Sequence, residues 1–173
     1  NYRREVDISN AVAATSYSLS GVDFKREYFI SQPNQVMAIN LTASQKNSIS
    51  FNAALTSPHK NFVLKKINSN TVSLSVKVRN GVLRGESYLQ IKTTGGTITI
   101  VDNKIVIADA HEANLYLTAG TNYKNYQDVT ADPVKPCTSA LASIAAKSYQ
   151  QIKLAHVHEY QKYFNTYSIK LNA

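Results

Sequence analysis

TVSLSVKVRNGVLRGESYLQIKTTGG, residues 71–96, alternates apolar and polar side chains for most of its length. Val72, Leu74, Val76 and Val78 fall on one side of an extended chain. Thr71, Ser73, Ser75 and Lys77 fall on the other. This period of two is the mark of a half-buried β-strand. Asn80-Gly81 then predicts a tight type I′ turn into a second strand, since both residues tolerate positive φ. The closing Thr93-Thr94-Gly95-Gly96 reads as a strand-ending turn. No Lys-Ser/Thr and no helix follows it, so it is not a phosphate loop.

The same pattern extends in both directions. TSYSLSGVDFKREYFIS (15–31) carries a hairpin signal at Ser20-Gly21, and residues 1–31 hold two or three strands. QVMAINLTA (35–43) and NSISFNAALTS (47–57) alternate. Another short pair flanks Asp102-Asn103, and EANLYLTAGTNY (112–123) supplies a last strand. Short strands separated by turn signals, without a 20–50-residue repeat, predict a mainly β, antiparallel sandwich over residues 1–122. A polar loop with Pro133 and Pro136 follows over 123–136. Residues 137–173 are Ala-rich and predict a helical connector, with Thr138 or Ser139 capping a first helix and Ser148 capping a second. Tyr149, Ile152, His156, Tyr160 and Phe164 recur at three- and four-residue spacing on one helical face. YSIKL (167–171) reads as a short final strand or extended exit.

Composition narrows the function. The single cysteine, Cys137, excludes an internal disulfide and a thiolate zinc site. No apolar run is long enough to span a membrane, and no signal peptide is visible. The chain opens on NYRREVDI without Met, as a processed, truncated or excised segment would. A net charge of +8 invites a nucleic-acid reading. The cations are scattered, however, from Arg3, Arg4, Lys25 and Arg26 to Lys65, Lys66, Arg79 and Arg84. A basic run interleaved with aromatics is absent, so nucleic acid is not an expected partner.

The residues hold no recognisable reaction centre. His156 and His158, two apart on a helix, point about 200° from each other and cannot share a metal. His156 belongs to the apolar stripe, and His158 and Glu159 should face outward. His59 and His111 fall in turns. None of the 11 carboxylates is paired by its spacing as a glycosidase acid and its partner would be, and no nucleophile elbow occurs. Neither catalytic residue, metal nor cofactor is assigned. Tyr116, Tyr123 and Tyr126 form the best candidate surface for stacking on a sugar.

Three stretches together resemble the N-terminal β-domain of glycoside hydrolase family 95 α-L-fucosidases. The first is residues 1–44, with its Tyr-Arg-Arg-Glu opening, Gly-Val-x-Phe-x-Arg-Glu strand (21–27) and Pro-x-Gln-Val step (33–36). The second is LTAGTNYKNY (117–126), and the third is KSYQQIKLAHVHEYQKYFNTYSIKL (147–171). The resemblance implies a β-super-sandwich, then a helical linker, then a catalytic α/α barrel beyond this chain that hydrolyses terminal α-L-fucosyl linkages with inversion. On that reading the segment is non-catalytic and supports the barrel. Its partners are the barrel and, through the parent enzyme, a fucosylated glycan. His156, Tyr160, Tyr163 and Phe164 pack between domains, and the parent is secreted or periplasmic. The alternative is a carbohydrate-binding sandwich without hydrolytic activity. An incomplete sandwich would also leave an edge strand open to self-association.

Overall fold

The computed structural model describes residues 1–169. Eleven strands come first: β1 (Tyr2–Asp7), β2 (Val12–Leu19), β3 (Val22–Ser31), β4 (Val36–Ala43), β5 (Ile49–Ala53) and β6 (Phe62–Lys66). Then follow β7 (Thr71–Lys77), β8 (Arg84–Thr94), β9 (Thr97–Val101), β10 (Lys104–Ala110) and β11 (Glu112–Thr121). Two helices follow among the described residues, α1 (Val134–Ser143) and α2 (Tyr149–Phe164). All strand pairing is antiparallel. A large sheet runs in the order β1-β2-β3-β4-β11-β8-β7-β6, and a small one in the order β5-β10-β9. The expected antiparallel sandwich with a helical tail is therefore the observed fold.

Alternation in the large sheet serves two cores. On one side, Val72, Leu89, Ile91 and Ala113 meet Ile49, Ile105 and Ile107 of the small sheet. On the other, Val12, Phe29, Val36, Ala38 and Tyr116 meet Ala140, Ile144, Tyr149 and Ile152 of the helical segment. The central strands are thus covered on both faces. In β7 this reaches Thr71 and Ser73, which are as buried as Val72, beside Tyr88 and Gln90 of β8.

The turns depart from expectation in one place. Two-residue connections with both φ angles positive occur at Ser20-Gly21 and Asp102-Asn103, between register pairs Leu19–Val22 and Val101–Lys104. At Asn80-Gly81 only Asn80 has positive φ. The strands there stop at Lys77–Arg84, and Val78 leaves the ladder, with its N–H donating to Leu83 O at 3.0 Å. The connection is a loop over residues 78–83, not a type I′ turn, because the chain bends before the dipeptide is reached.

The helical segment also starts earlier than the 137 boundary. Helix α1 begins at Val134, with Pro133 at its N-cap and Pro136 in its first turn. The sequence pattern alone places both prolines in the 123–136 loop. They are tolerated here because first-turn N–H groups have no intrahelical acceptor to lose. Asp132 Oδ1 accepts from the Val134 N–H at 2.9 Å. Thr138 is inside the helix, and its hydroxyl bonds back toward Val134 O and Lys135 O. Gly120 permits the close approach of α1 to β11, since a Cβ there would lie 2.4 Å from Pro133 O. Ser148 does cap α2, in a reciprocal capping box with Gln151. Residues 167–169 of the expected exit strand are not in a strand, and 170–171 lie outside the described residues. Among the described residues, no helix is long and apolar enough to cross a membrane.

Candidate functional site

The chemistry-bearing side chains gather where α2 crosses β1–β3. The three- and four-residue spacing of Tyr149, Ile152, His156, Tyr160 and Phe164 presents one face of α2 to the sheet. An aromatic column results. Phe29 of β3 stacks on His156 at 4.7 Å between centroids, and Tyr149 tilts against the same Phe29 at 5.6 Å. His156 leads to Tyr160 at 6.4 Å, and Tyr160 to Phe164 at 5.4 Å. Such contacts contribute about 0.5–1.5 kcal/mol each beyond the area they bury.

Polar tips of the same residues hold the β1–β2 turn. His156 Nε2 lies 3.0 Å from the Ala11 carbonyl oxygen. That oxygen only accepts, so Nε2 carries the hydrogen. Tyr160 donates to Ile8 O at 2.7 Å, and Gln161 donates to Ser9 O and Asn10 Oδ1. At its other end, the helical segment is tied to the β3–β4 turn. Lys147 Nζ donates to the buried Asn34 Oδ1 at 2.8 Å, and Asn34 donates to Ser31 Oγ.

Between α2 and the hairpin lies a cavity of about 410 Å3, lined by Glu5, Asp7, Lys25, Glu27 and Lys153 among polar residues and by Leu154 and Val157 from α2. Glu27 is its centre of charge. It accepts from Lys153 at 2.8 Å, from Lys25 at 3.0 Å and from Tyr149 Oη at 3.0 Å. Burial pushes its carboxyl up, but these donors outweigh burial and bring it down to about 2. The Asn10 side chain likewise lowers Asp7. A glycosidase acid needs a carboxyl held neutral near neutral pH. Glu27 and Asp7 are both shifted the other way, Glu27 by its donors and Asp7 by the Asn10 side chain. Burial, followed by the Glu27 carboxylate, raises the Tyr149 phenol and keeps it a donor.

The sequence-derived site residues scatter. Tyr116 is 1% exposed in the core below the helices, so it cannot stack on a sugar; Tyr123 and Tyr126 are exposed on the following loop at 52% and 85%. The three do not form one platform, because alternation along β11 turns Tyr116 inward. Burial, followed by Glu112, pushes the Tyr116 phenol up to about 12. Lys92 lies over its ring at 5.8 Å and donates to Ile144 O and Ala145 O at the end of α1. His156 is buried and Tyr160 half-buried against the sheet. Tyr163 and Phe164 are exposed. His158 and His59 are exposed, and His111 sits at the β10–β11 corner with Nδ1 unpaired. Among the described residues, no three His, Cys, Asp or Glu side chains cluster as a metal site would require. Sequence reading missed the Glu27–Lys153–Tyr149 group, in which Glu27 is more than 120 residues from the other two. The only local signal was Lys153 and Tyr149 sharing one helix surface.

Residues 1–126 match the family model described as glycosyl hydrolase family 65, N-terminal domain. Alpha-L-fucosidase 2 of Arabidopsis thaliana is 30% identical over 199 residues, covering 99% of this chain and 24% of that protein. Probable alpha-fucosidase A of Aspergillus niger is 25% identical over 186 residues, covering 98% of the chain and 23% of that protein. The chain thus spans about a quarter of the length of these curated relatives. Among solved structures, a putative kojibiose phosphorylase from human microbiome superposes with a TM-score of 0.61 at 13% identity, over 95% of this chain and 24% of that one. That likeness is one of fold.

Proposed function

Since the chain belongs to the glycosyl hydrolase family 65 N-terminal domain family, we propose that it is the non-catalytic β-sandwich segment of an α-L-fucosidase-like glycoside hydrolase. Its role is to seat the catalytic domain through the helical segment. The observation that carries this reading is the two-sided character of α2. One face is fixed to the sheet by the aromatic column and by the Glu27 network. Opposite that face Leu154 is 69% exposed, and in the last turn Tyr163, on the azimuth of the sheet-facing stripe, is 71% exposed. Exposed apolar residues on a rigidly held helix suit contact with a further domain. The names of the two relatives support fucosyl linkages as the parent enzyme's substrate; that these are terminal α-L-fucosyl linkages acted on by an α/α barrel is part of the same proposal. Residence outside the cytoplasm, secreted or periplasmic, belongs to the same proposal and rests on the resemblance of the sequence alone. The carbohydrate-binding alternative has less behind it, because Tyr116 is withdrawn from the surface.

Two experiments test the proposal. The purified chain is mixed with 2′-fucosyllactose and the sugar is followed by NMR. Unchanged signals are expected from folded protein. Released fucose would place an active site within this chain, and line broadening without turnover would make it a binding module. In the full-length parent, Leu154→Asp and Tyr163→Asp should lower the melting temperature and kcat together, while the same changes leave the isolated chain's melting temperature within about 2 °C. A parent enzyme indifferent to both changes would refute the seating role.

A further inference from the structure

We infer that Asn40 is an N-glycosylation acceptor that this fold cannot accommodate once modified, so that the chain reaches its native structure only where Asn40 stays bare. Asn40-Leu41-Thr42 is the one Asn-x-Ser/Thr tripeptide in residues 1–173. That pattern normally marks a surface loop, because the glycan is bulky and needs solvent. Here it lies within β4, which pairs with β3 on one side and β11 on the other. Asn40 is 6% exposed. Its side chain stands on the helix-covered side of the sheet, in line with Val36 and Ala38. The register places it between Glu27 of β3 and Asn114 of β11.

The atom that would carry the sugar is already committed. Asn40 Nδ2 donates to Glu112 Oε1 at 2.6 Å and to Asn114 Oδ1 at 2.9 Å, which uses both of its hydrogens. Asn114 Nδ2 also donates to Glu112 Oε1, at 3.0 Å. A carboxylate only accepts, so the Asn40 amide cannot be turned the other way round. N-glycosylation replaces one of those two hydrogens with carbon. At a C–N bond length of about 1.46 Å, the first sugar carbon would fall about midway between Nδ2 and the acceptor oxygen. Swinging the Asn40 side chain away would instead strip the half-buried Glu112 of a donor.

Chain order leaves the acceptor open at the time that matters. Glu112 and Asn114 come 72 and 74 residues after Asn40. At a synthesis rate of about 5–20 residues per second, the tripeptide waits about 4–14 s for its cover. A chain entering a compartment that glycosylates asparagine would be modified in that interval, and β4 could not then close against β11. Folding of the parent therefore belongs to a compartment without asparagine glycosylation.

The test is cell-free translation of the chain, once alone and once behind a cleavable signal sequence with microsomes that glycosylate asparagine. Products are released with detergent and digested with trypsin, and endoglycosidase H reports the glycan by a change in mobility. The chain translated alone should be trypsin-resistant. The glycosylated band from microsomes should be cut at least about tenfold faster, because even one buried acceptor left unpaired raises the open population by about that much. Thr42→Val removes the acceptor tripeptide and leaves the Asn40 amide in place, so that variant should emerge from microsomes unglycosylated and resistant. A competing acceptor tripeptide added to the microsomes should give the same result for the unaltered chain, with no substitution at all. A glycosylated chain as resistant as the bare one would overturn the inference. So would a chain that the microsomes leave unmodified, or one kept bare by the competing tripeptide that is still cut as fast as the glycosylated band.

Discussion

Replacing Glu27 by Gln keeps the shape of the side chain and removes its charge. In the folded chain this carboxyl is brought from its ordinary 4.5 down to about 2 by Lys153, Lys25 and Tyr149, against the opposing effect of burial. At 1.36 kcal/mol per pH unit, the drop corresponds to about 3 kcal/mol. The two lysines are partly open to water, with side chains 26% and 52% exposed, and screening leaves about 1–2 kcal/mol. A depressed carboxyl stabilises the fold above its unfolded pKa. That stability is lost as pH falls from about 4.5 toward about 2. Urea unfolding followed by far-UV circular dichroism should therefore show Glu27→Gln less stable than the parent chain by about 1–2 kcal/mol at pH 6. By pH 3 more than half of that gap should close. Other carboxylates titrate in both proteins and cancel in the difference. An equal gap at pH 6 and pH 3 would refute the reasoning, because the loss would then come from packing and not from charge.

Two further outcomes test how the helical segment is held. Ile152 is fully buried where α2 meets the sheet, so Ile152→Ala should cost about 2–4 kcal/mol in the same unfolding assay; a loss below about 1 kcal/mol would mean that α2 is loosely seated. Cys137 is buried under α1, and its thiol is pushed up to about 11, first by burial and then by Glu86. Ellman's reagent at pH 8 should leave it unlabelled until denaturant is added, and labelling within seconds of mixing would show that α1 is not docked.

Helix-covered and sheet-covered faces of the same strands explain which residues could be interpreted locally. The alternation of Val72, Leu74 and Val76 with Ser73, Ser75 and Lys77 predicts strand β7, and it needs no knowledge of its partners. The same alternation cannot say that Thr71 and Ser73 are buried, because a second layer formed by distant residues decides that. Tyr116 was misplaced for this reason. A tyrosine in a strand is equally suited to a solvent face and to a core, and the arrival of α1 and α2, which begin 18 and 33 residues later, settles the matter. Prolines 133 and 136 misled in another way, since a proline looks alike in a loop and in a helix's first turn.

Local covalent geometry and side-chain periodicity were therefore enough to determine the β-sandwich class, the hairpins at Ser20-Gly21 and Asp102-Asn103, the Ser148 cap and the apolar stripe of α2. These depend on residues within a few positions of one another. Tertiary structure alone decided that Glu27 meets Lys153 and Tyr149, that His156 bonds to Ala11, and that the described residues build one eight-stranded and one three-stranded sheet. Each of those contacts joins segments whose separation along the chain carries no local signal. They form only when burial of the two cores has brought the segments together.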